Sequence, residues 1–300
     1  NGLSADGVLY AAPFYGESSM VMYRKDLADA AGVKTAFASS FRYMPEVMHA
    51  KKLVAEGVIG EPLEVESVSH FNLERDIPFG WSHRKEDGGG RLNNNFTHVL
   101  SIVTSVIGEK ILSIMGELRD DLGKAPMVQG VHNFKTRRDF IPKDLNDPSL
   151  KWGESNVEWS YNVLAKLDSP YAKQPVSVMF KHGGLHPRFN EDYLAFYGSK
   201  GTIYIKGHYG MGPLYIWDDN KTWKELPLPQ EIIDNQPKLN GDTFVKDTER
   251  NWQYLAREFV KDIEGKPFTP YQSFKEGSQY QQLIDIIRKN ENWTDVRHLQ

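Results

Sequence analysis

Asn94 and His98 stand four residues apart, one turn of a helix, so their side chains share a face. An imidazole can take or give a proton near neutral pH. An amide can orient a hydroxyl but cannot relay a proton. The plainer reading of His98 is a structural histidine on a buried helix. His182-Gly183-Gly184-Leu185-His186 sets two more histidines four apart. On a helix they would suit a metal, but the paired glycines argue against a helix and no third ligand is evident, so no metal is expected. Gly88-Gly89-Gly90 gives the chain an unhindered turn into the helix that carries Asn94 and His98. It is no phosphate cradle, because no Lys-Ser/Thr follows. Trp81 offers a flat apolar face, for a sugar ring or for core packing.

Other chemistries are missing from the string. There is no cysteine, which removes disulfides, thiolate metal sites and thiol nucleophiles. No Walker loop, Gly-x-Ser-x-Gly or His-Glu-x-x-His occurs. The net charge of -4 comes from interspersed signs with no basic block, which argues against a nucleic-acid partner. No run reaches the roughly 18–20 apolar residues of a membrane helix. The opening Asn1-Gly2-Leu3-Ser4-Ala5-Asp6 lacks the basic and apolar regions of a signal peptide. A cytoplasmic protein is expected.

The elements that must position these residues follow from patterning. Strands are expected over Val8–Ala12 and Ser19–Tyr23, then a short helix Arg24–Ala31, a buried strand Lys34–Ser39 and a helix Pro45–Glu56. Leu63–Phe71 alternates as a strand, and Leu92–Ile107 reads as a helix stopped by Gly108. Further strands are expected over Ile111–Leu118, Val157–Leu167, Val176–Lys181, Tyr193–Tyr197, Thr202–Ile205 and Tyr215–Trp217, with closing helices Asp247–Ile263 and Phe274–Arg288. Most connections are too short for crossover helices, which predicts an α+β fold with a large, mostly antiparallel open sheet packed against helices. Ala125–Ser155, rich in Pro, Asp, Asn and Lys, is expected to be a long surface excursion.

Two resemblances divide the chain. Asp6-Gly7-Val8-Leu9-Tyr10-Ala11-Ala12-Pro13-Phe14-Tyr15-Gly16-Glu17-Ser18-Ser19-Met20, with Met22-Tyr23-Arg24-Lys25-Asp26-Leu27, resembles solute-binding proteins of carbohydrate ABC transporters. From about Gly32 the chain resembles Gfo/Idh/MocA oxidoreductases: Phe41-Arg42-Tyr43-Met44-Pro45, Ala55-Glu56-Gly57-Val58-Ile59-Gly60-Glu61-Pro62, Trp81, Gly88-Gly89-Gly90-Arg91-Leu92, His98 and Tyr197-Gly198-Ser199-Lys200-Gly201-Thr202-Ile203 follow in that family's order. The resemblances imply a solute-binding-protein-like segment 1–31, the last strand and helix of a truncated Rossmann domain over 32–58, and a substrate and dimerisation domain over 59–300, with the join inside Lys25–Lys34.

The second resemblance implies hydride transfer between NAD or NADP and a sugar or polyol hydroxyl, and homo-oligomers formed through the open sheet. It implies His98 and Asn94 at the catalytic positions, with Asn where the family has Asp. It also implies Arg42 near the nucleotide–substrate junction, where a surface ion pair is the plainer alternative, and Trp81, His182 and His186 within reach of the sugar. The family's Glu-Lys-Pro is absent, and so is any G-x-G-x-x-G; Gly210-Met211-Gly212 begins one but places Tyr215 sixth. The chain alone is therefore expected to be inactive or nearly so, with no intact cofactor-binding motif. The alternative is a non-catalytic carbohydrate-binding protein, either of transporter type or an orphaned sugar-binding or assembly domain.

Overall fold

The computed structural model describes residues 4–5, 8–9, 31–73, 75–131, 136–186, 192–217, 221–237 and 248–299. Its centre is one nine-stranded sheet. The strands are β1 (Pro62–His70), β2 (Lys110–Arg119), β3 (Ser160–Asp168), β4 (Val176–Gly183), β5 (Tyr193–Gly198), β6 (Thr202–Lys206), β7 (Leu214–Trp217), β8 (Trp223–Leu226) and β9 (Thr294–Asp295). Their spatial order is β8-β7-β6-β5-β1-β4-β3-β2-β9. Every pairing is antiparallel except β1 with β4. The helices are α1 (Pro45–Ala55), α2 (Thr97–Ile107), α3 (Gln230–Asp234), α4 (Thr248–Ile263) and α5 (Phe274–Lys289).

Strand alternation decides which face is dry. Val65, Tyr161, Val163, Val178, Phe180, Leu194, Phe196, Ile203 and Ile205 are buried on one face, beneath α1, α2 and α5. Val99, Leu100, Ile102, Val103, Val106 and Ile107 bury α2 almost all round, so this helix is the spine of the core. The opposite face stays open and carries Leu164, Tyr193, Tyr197, Tyr204, Tyr215 and Trp217. At its middle Glu66 accepts hydrogen bonds from Tyr193 Oη at 3.0 Å and Tyr197 Oη at 2.9 Å.

Several expectations change. Lys34–Ser39 forms no strand and pairs with none of the described strands. It is held instead by Phe37 N–H donating to Gln272 O at 2.6 Å, and the Phe37 ring meets Tyr280 edge-on at 5.8 Å and packs on Gly277. Of the apolar residues that suggested a buried strand, Phe37 packs on α5, while Ala36 is half-buried and Ala38 exposed. Val157–Trp159 does not join β3, because Val157 and Trp159 fill a smaller core with Leu122 and Leu185. The Ala125–Ser155 excursion is closed at its base by a ribbon pairing Lys124–Pro126 with Trp152–Glu154. In the front segment, Val8–Leu9 pairs with Ser4–Ala5; Tyr10–Ala12, Ser19–Tyr23 and all of Arg24–Ala31 but its last residue lie outside the described residues. Short β8, β9 and α3 were not expected.

Candidate functional site

The site is built outward from the start of α2. The chain reaches that start through Gly88 and Gly90, at φ of +77° and +97°, a left-handed region that favours glycine. A Cβ on Gly90 would collide with the carboxylate of Glu158. That carboxylate accepts from Leu92 N–H at 2.9 Å, capping the helix with negative charge. Arg288 of α5 grips it from the other side, with Nη2 2.8 Å from Oε1 and Nε 3.1 Å from Oε2. Both side chains are buried. The glycine triplet therefore makes room for a buried ion pair that fixes where the helix begins.

The first turn, Leu92–Phe96, is π-helical and passes into α2 at Thr97. Such turns are uncommon and often mark functional sites. Asn94 is buried there, but the hub is its neighbour Asn95, which is wholly buried. Asn95 Oδ1 accepts from Tyr161 Oη and from Ser69 Oγ at 3.4 Å, while its Nδ2 donates to Tyr209 Oη at 2.9 Å. His98, one turn on, is half-buried between rings: Phe41 at 4.9 Å and Tyr209 at 5.4 Å, both edge-on. Among the described residues it makes no hydrogen bond. Burial, reinforced by His208 and Arg91, pushes its pKa down to about 4. The result is a neutral imidazole in an aromatic corner, with its ring nitrogens uncommitted to the described protein.

His182 is the opposite case. Arg91 Nε–H donates to its Nε2 at 3.0 Å, so that nitrogen carries the lone pair. The proton of the neutral ring is then on Nδ1, which donates to Ser69 Oγ at 2.7 Å. Burial drives its pKa well below the ordinary value, with Arg91 adding to the effect. His182 is thus a fully engaged member of the Asn95 network and is 2% exposed. His186 lies beyond the strand end, 5.8 Å from the His70 ring and 3.4 Å from Arg119 Nη2. The two histidines that looked like a pair in sequence occupy different surroundings.

Arg42 does not reach this corner. Its guanidinium pairs with Glu109, just past the far end of α2, roughly 16 Å along the helix from His98 at 1.5 Å per residue. Its neighbour Phe41 does reach it. Trp81 opens the turn Trp81–His83, whose other end inserts His83 between Phe79 at 5.2 Å and Trp159 at 5.1 Å. That turn belongs to the smaller core.

The sequence reading missed Asp192, His208 and Tyr209. Asp192, its side chain 1% exposed, accepts from His70 N–H at 2.8 Å and lies 2.9 Å from His208 Nδ1. His208 packs on Tyr209 at 3.6 Å and on Phe71 at 4.6 Å. Tyr209 itself has φ of +51°, inside a turn bracketed by Gly207 and Gly210 at positive φ. The available signal was a His-Tyr pair flanked by glycines between two short strands.

The residues described do not fit a dinucleotide. Among the described residues there is no glycine-rich phosphate loop, the segment expected to be the last Rossmann strand pairs with no strand, and Arg42 is committed to Glu109. Among the described residues no group of three or more His, Asp or Glu is arranged to hold a metal, and no helix is long and apolar enough to cross a membrane.

Comparison with known proteins supplies the family context. Residues 47–204 match the GFO/IDH/MocA C-terminal domain. D-xylose dehydrogenase of Paenarthrobacter nicotinovorans is 30% identical over 238 residues, covering 72% of this chain and 55% of that protein. The chain spans about a third to a half of the curated relatives it matches. An NAD binding oxidoreductase from Klebsiella pneumoniae superposes with a TM-score of 0.69 at 18% identity, covering 90% of this chain and 68% of that one. Levoglucosan dehydrogenase in complex with NADH and L-sorbose gives 0.68 at 17%, covering 91% and 70%. The α+β architecture with its open sheet is shared with these structures.

Proposed function

We infer the function from one premise, that this chain belongs to the GFO/IDH/MocA C-terminal-domain family. It is the sugar- or polyol-binding part of an NAD(P)-dependent oxidoreductase, and the 300-residue chain alone binds the sugar without turning it over. His98 carries the reading. A neutral imidazole, free of hydrogen bonds to the described residues and set against Phe41 and Tyr209, suits a substrate hydroxyl. Asn94, where the resemblance has an Asp, orients and does not relay. The dinucleotide, when bound by a complete enzyme, supplies the hydride acceptor; nothing among the described residues takes over its binding. The open aromatic face around Glu66 supports self-association through the sheet, and the reading is of a cytoplasmic protein.

Titration of the chain with NADH and NADPH, followed by nicotinamide fluorescence and thermal shift, tests this beside titration with D-xylose. Saturation by D-xylose without saturation by either dinucleotide is expected. Saturable NADH binding would overturn the inactive-alone reading, because the front segment would then complete a nucleotide site.

A further inference from the structure

We propose that Phe41 is the stacking platform of the sugar site, and that the ligand is a closed pyranose ring and not an open-chain polyol. This rests on the sugar-binding reading above. Phe41 and His98 stand nearly perpendicular, at 71° with 4.9 Å between ring centroids, and both are half-buried. The two rings thus form a floor and a wall. A pyranose with equatorial hydroxyls has a face of axial C–H bonds and a rim of hydroxyls close to the plane of the ring. Laid flat on Phe41, such a ring sets apolar hydrogens against the negative face of the aromatic π-system and turns a hydroxyl of its rim towards the imidazole. An open-chain polyol has no fixed face to lay down and must give up several free rotations to imitate one.

Phe41 is the ring of this corner with a face to offer. Tyr209 is 8% exposed, and its ring is covered by His208 at 3.6 Å and by Phe41 itself at 4.3 Å. Phe41, half-buried, keeps part of its ring open. It is also held in place in advance. It lies in the 3-10 turn Ser40–Tyr43, where its carbonyl accepts from Met44 N–H at 3.1 Å. The two residues after it are tied down away from the corner. Arg42 pairs with Glu109, while the Tyr43 hydroxyl donates to Pro270 O at 3.1 Å and its ring stacks on Tyr254 at 4.9 Å. These anchors fix the backbone from which Phe41 projects, so little ordering is left for the ligand to impose. The flat face that the sequence suggested in Trp81 is supplied here instead, since Trp81 opens a turn of the smaller core. Phe41 is a binding residue that selects ring shape, and His98 remains the partner of the hydroxyl.

Equilibrium dialysis of the 300-residue chain against D-xylose and against xylitol, its open-chain reduction product, tests the assignment. The parent is expected to bind D-xylose about tenfold more tightly than xylitol. Phe41→Leu keeps apolar bulk and removes the flat face. It is expected to weaken D-xylose about tenfold and xylitol less than about twofold, which closes the gap. Phe41→Tyr, which keeps the face, is expected to preserve it. Saturation-transfer NMR adds a readout that a packing defect does not move: transfer to D-xylose is expected to be strongest at the axial hydrogens of one ring face, a bias that Phe41→Leu loses. Should Phe41→Leu fail to fold, the parent's preference for D-xylose and its transfer pattern decide alone. Equal affinity for the two compounds in the parent, or a gap that Phe41→Leu leaves unchanged, would overturn this inference and spare the sugar-binding reading. No binding of either compound would overturn both.

Discussion

His182 and His98 lie on neighbouring elements of one core, and they have been treated in opposite ways. Around His182 polar groups bond to one another: Arg91, Ser69, Asn95, Tyr161 and Tyr209 form a continuous hydrogen-bonded network. Around His98 the neighbours are the rings of Phe41 and Tyr209, and no described group bonds to it. Both imidazoles are held neutral by burial. What separates them is satisfaction. A buried polar group whose partners are complete is part of the scaffold, while one left without a protein partner is available to a ligand.

The sharpest way to break the scaffold side is at its root. Glu158→Ala strands Arg288 as a buried charge and uncaps α2; a loss of about 3–5 kcal/mol is expected in urea unfolding. A loss below about 1 kcal/mol would mean that the helix start is held elsewhere. His182→Leu removes an acceptor from Arg91 and a donor to Ser69, and should cost about 1–3 kcal/mol. Its D-xylose affinity, measured on the folded variant, should stay close to that of the parent.

Acid provides a mutation-free test. The unfolded chain takes up protons near pH 6.5, but His83 and His98 in the folded chain refuse them until about 4. Stability is therefore complete above about pH 6.5 and falls as the pH drops toward 4, by roughly 3 kcal/mol from His83 alone. In His83→Phe, a volume-filling ring between Phe79 and Trp159, this slope should flatten. The smallest stability effect belongs to His98→Gln, within about 0.5 kcal/mol, while D-xylose binding should fall about tenfold. A large loss of stability with unchanged affinity would place His98 with the scaffold.

Much of this was legible in the string because alternation and helical period survive without knowledge of partners. β1, β4, β5 and β6 fell within a residue or two of their expected bounds, and the Gly198–Gly201 hairpin formed as its glycines suggested, docking on the turn at Ile59. Lys34–Ser39 misled because apolar residue types do not say what, if anything, covers them: Phe37 packs on α5 and Ala38 is exposed. At the site, His98 was recoverable from its place behind the glycine triplet. Asn95 was not, since a π turn shifts the face that a strict four-residue step assigns. Asp192 and His208 were hidden for another reason: sixteen residues apart and joined only through the turn after β6, they carry no local period at all.

The one parallel pairing in the sheet also governs how the chain can assemble itself. β1 is flanked by β4 and β5, and its partners Ser177 and Tyr197 lie more than a hundred positions downstream of Glu64. At about 5–20 residues per second on the ribosome, both edges of this strand wait several seconds or longer for a neighbour to be made. During that interval Val65 and the apolar side of α2 lack the later strands that complete their cover. The central strand of the finished sheet is thus an unpaired strand in the growing one, and synthesis speed over residues 71–183 sets how long it waits for its first neighbour.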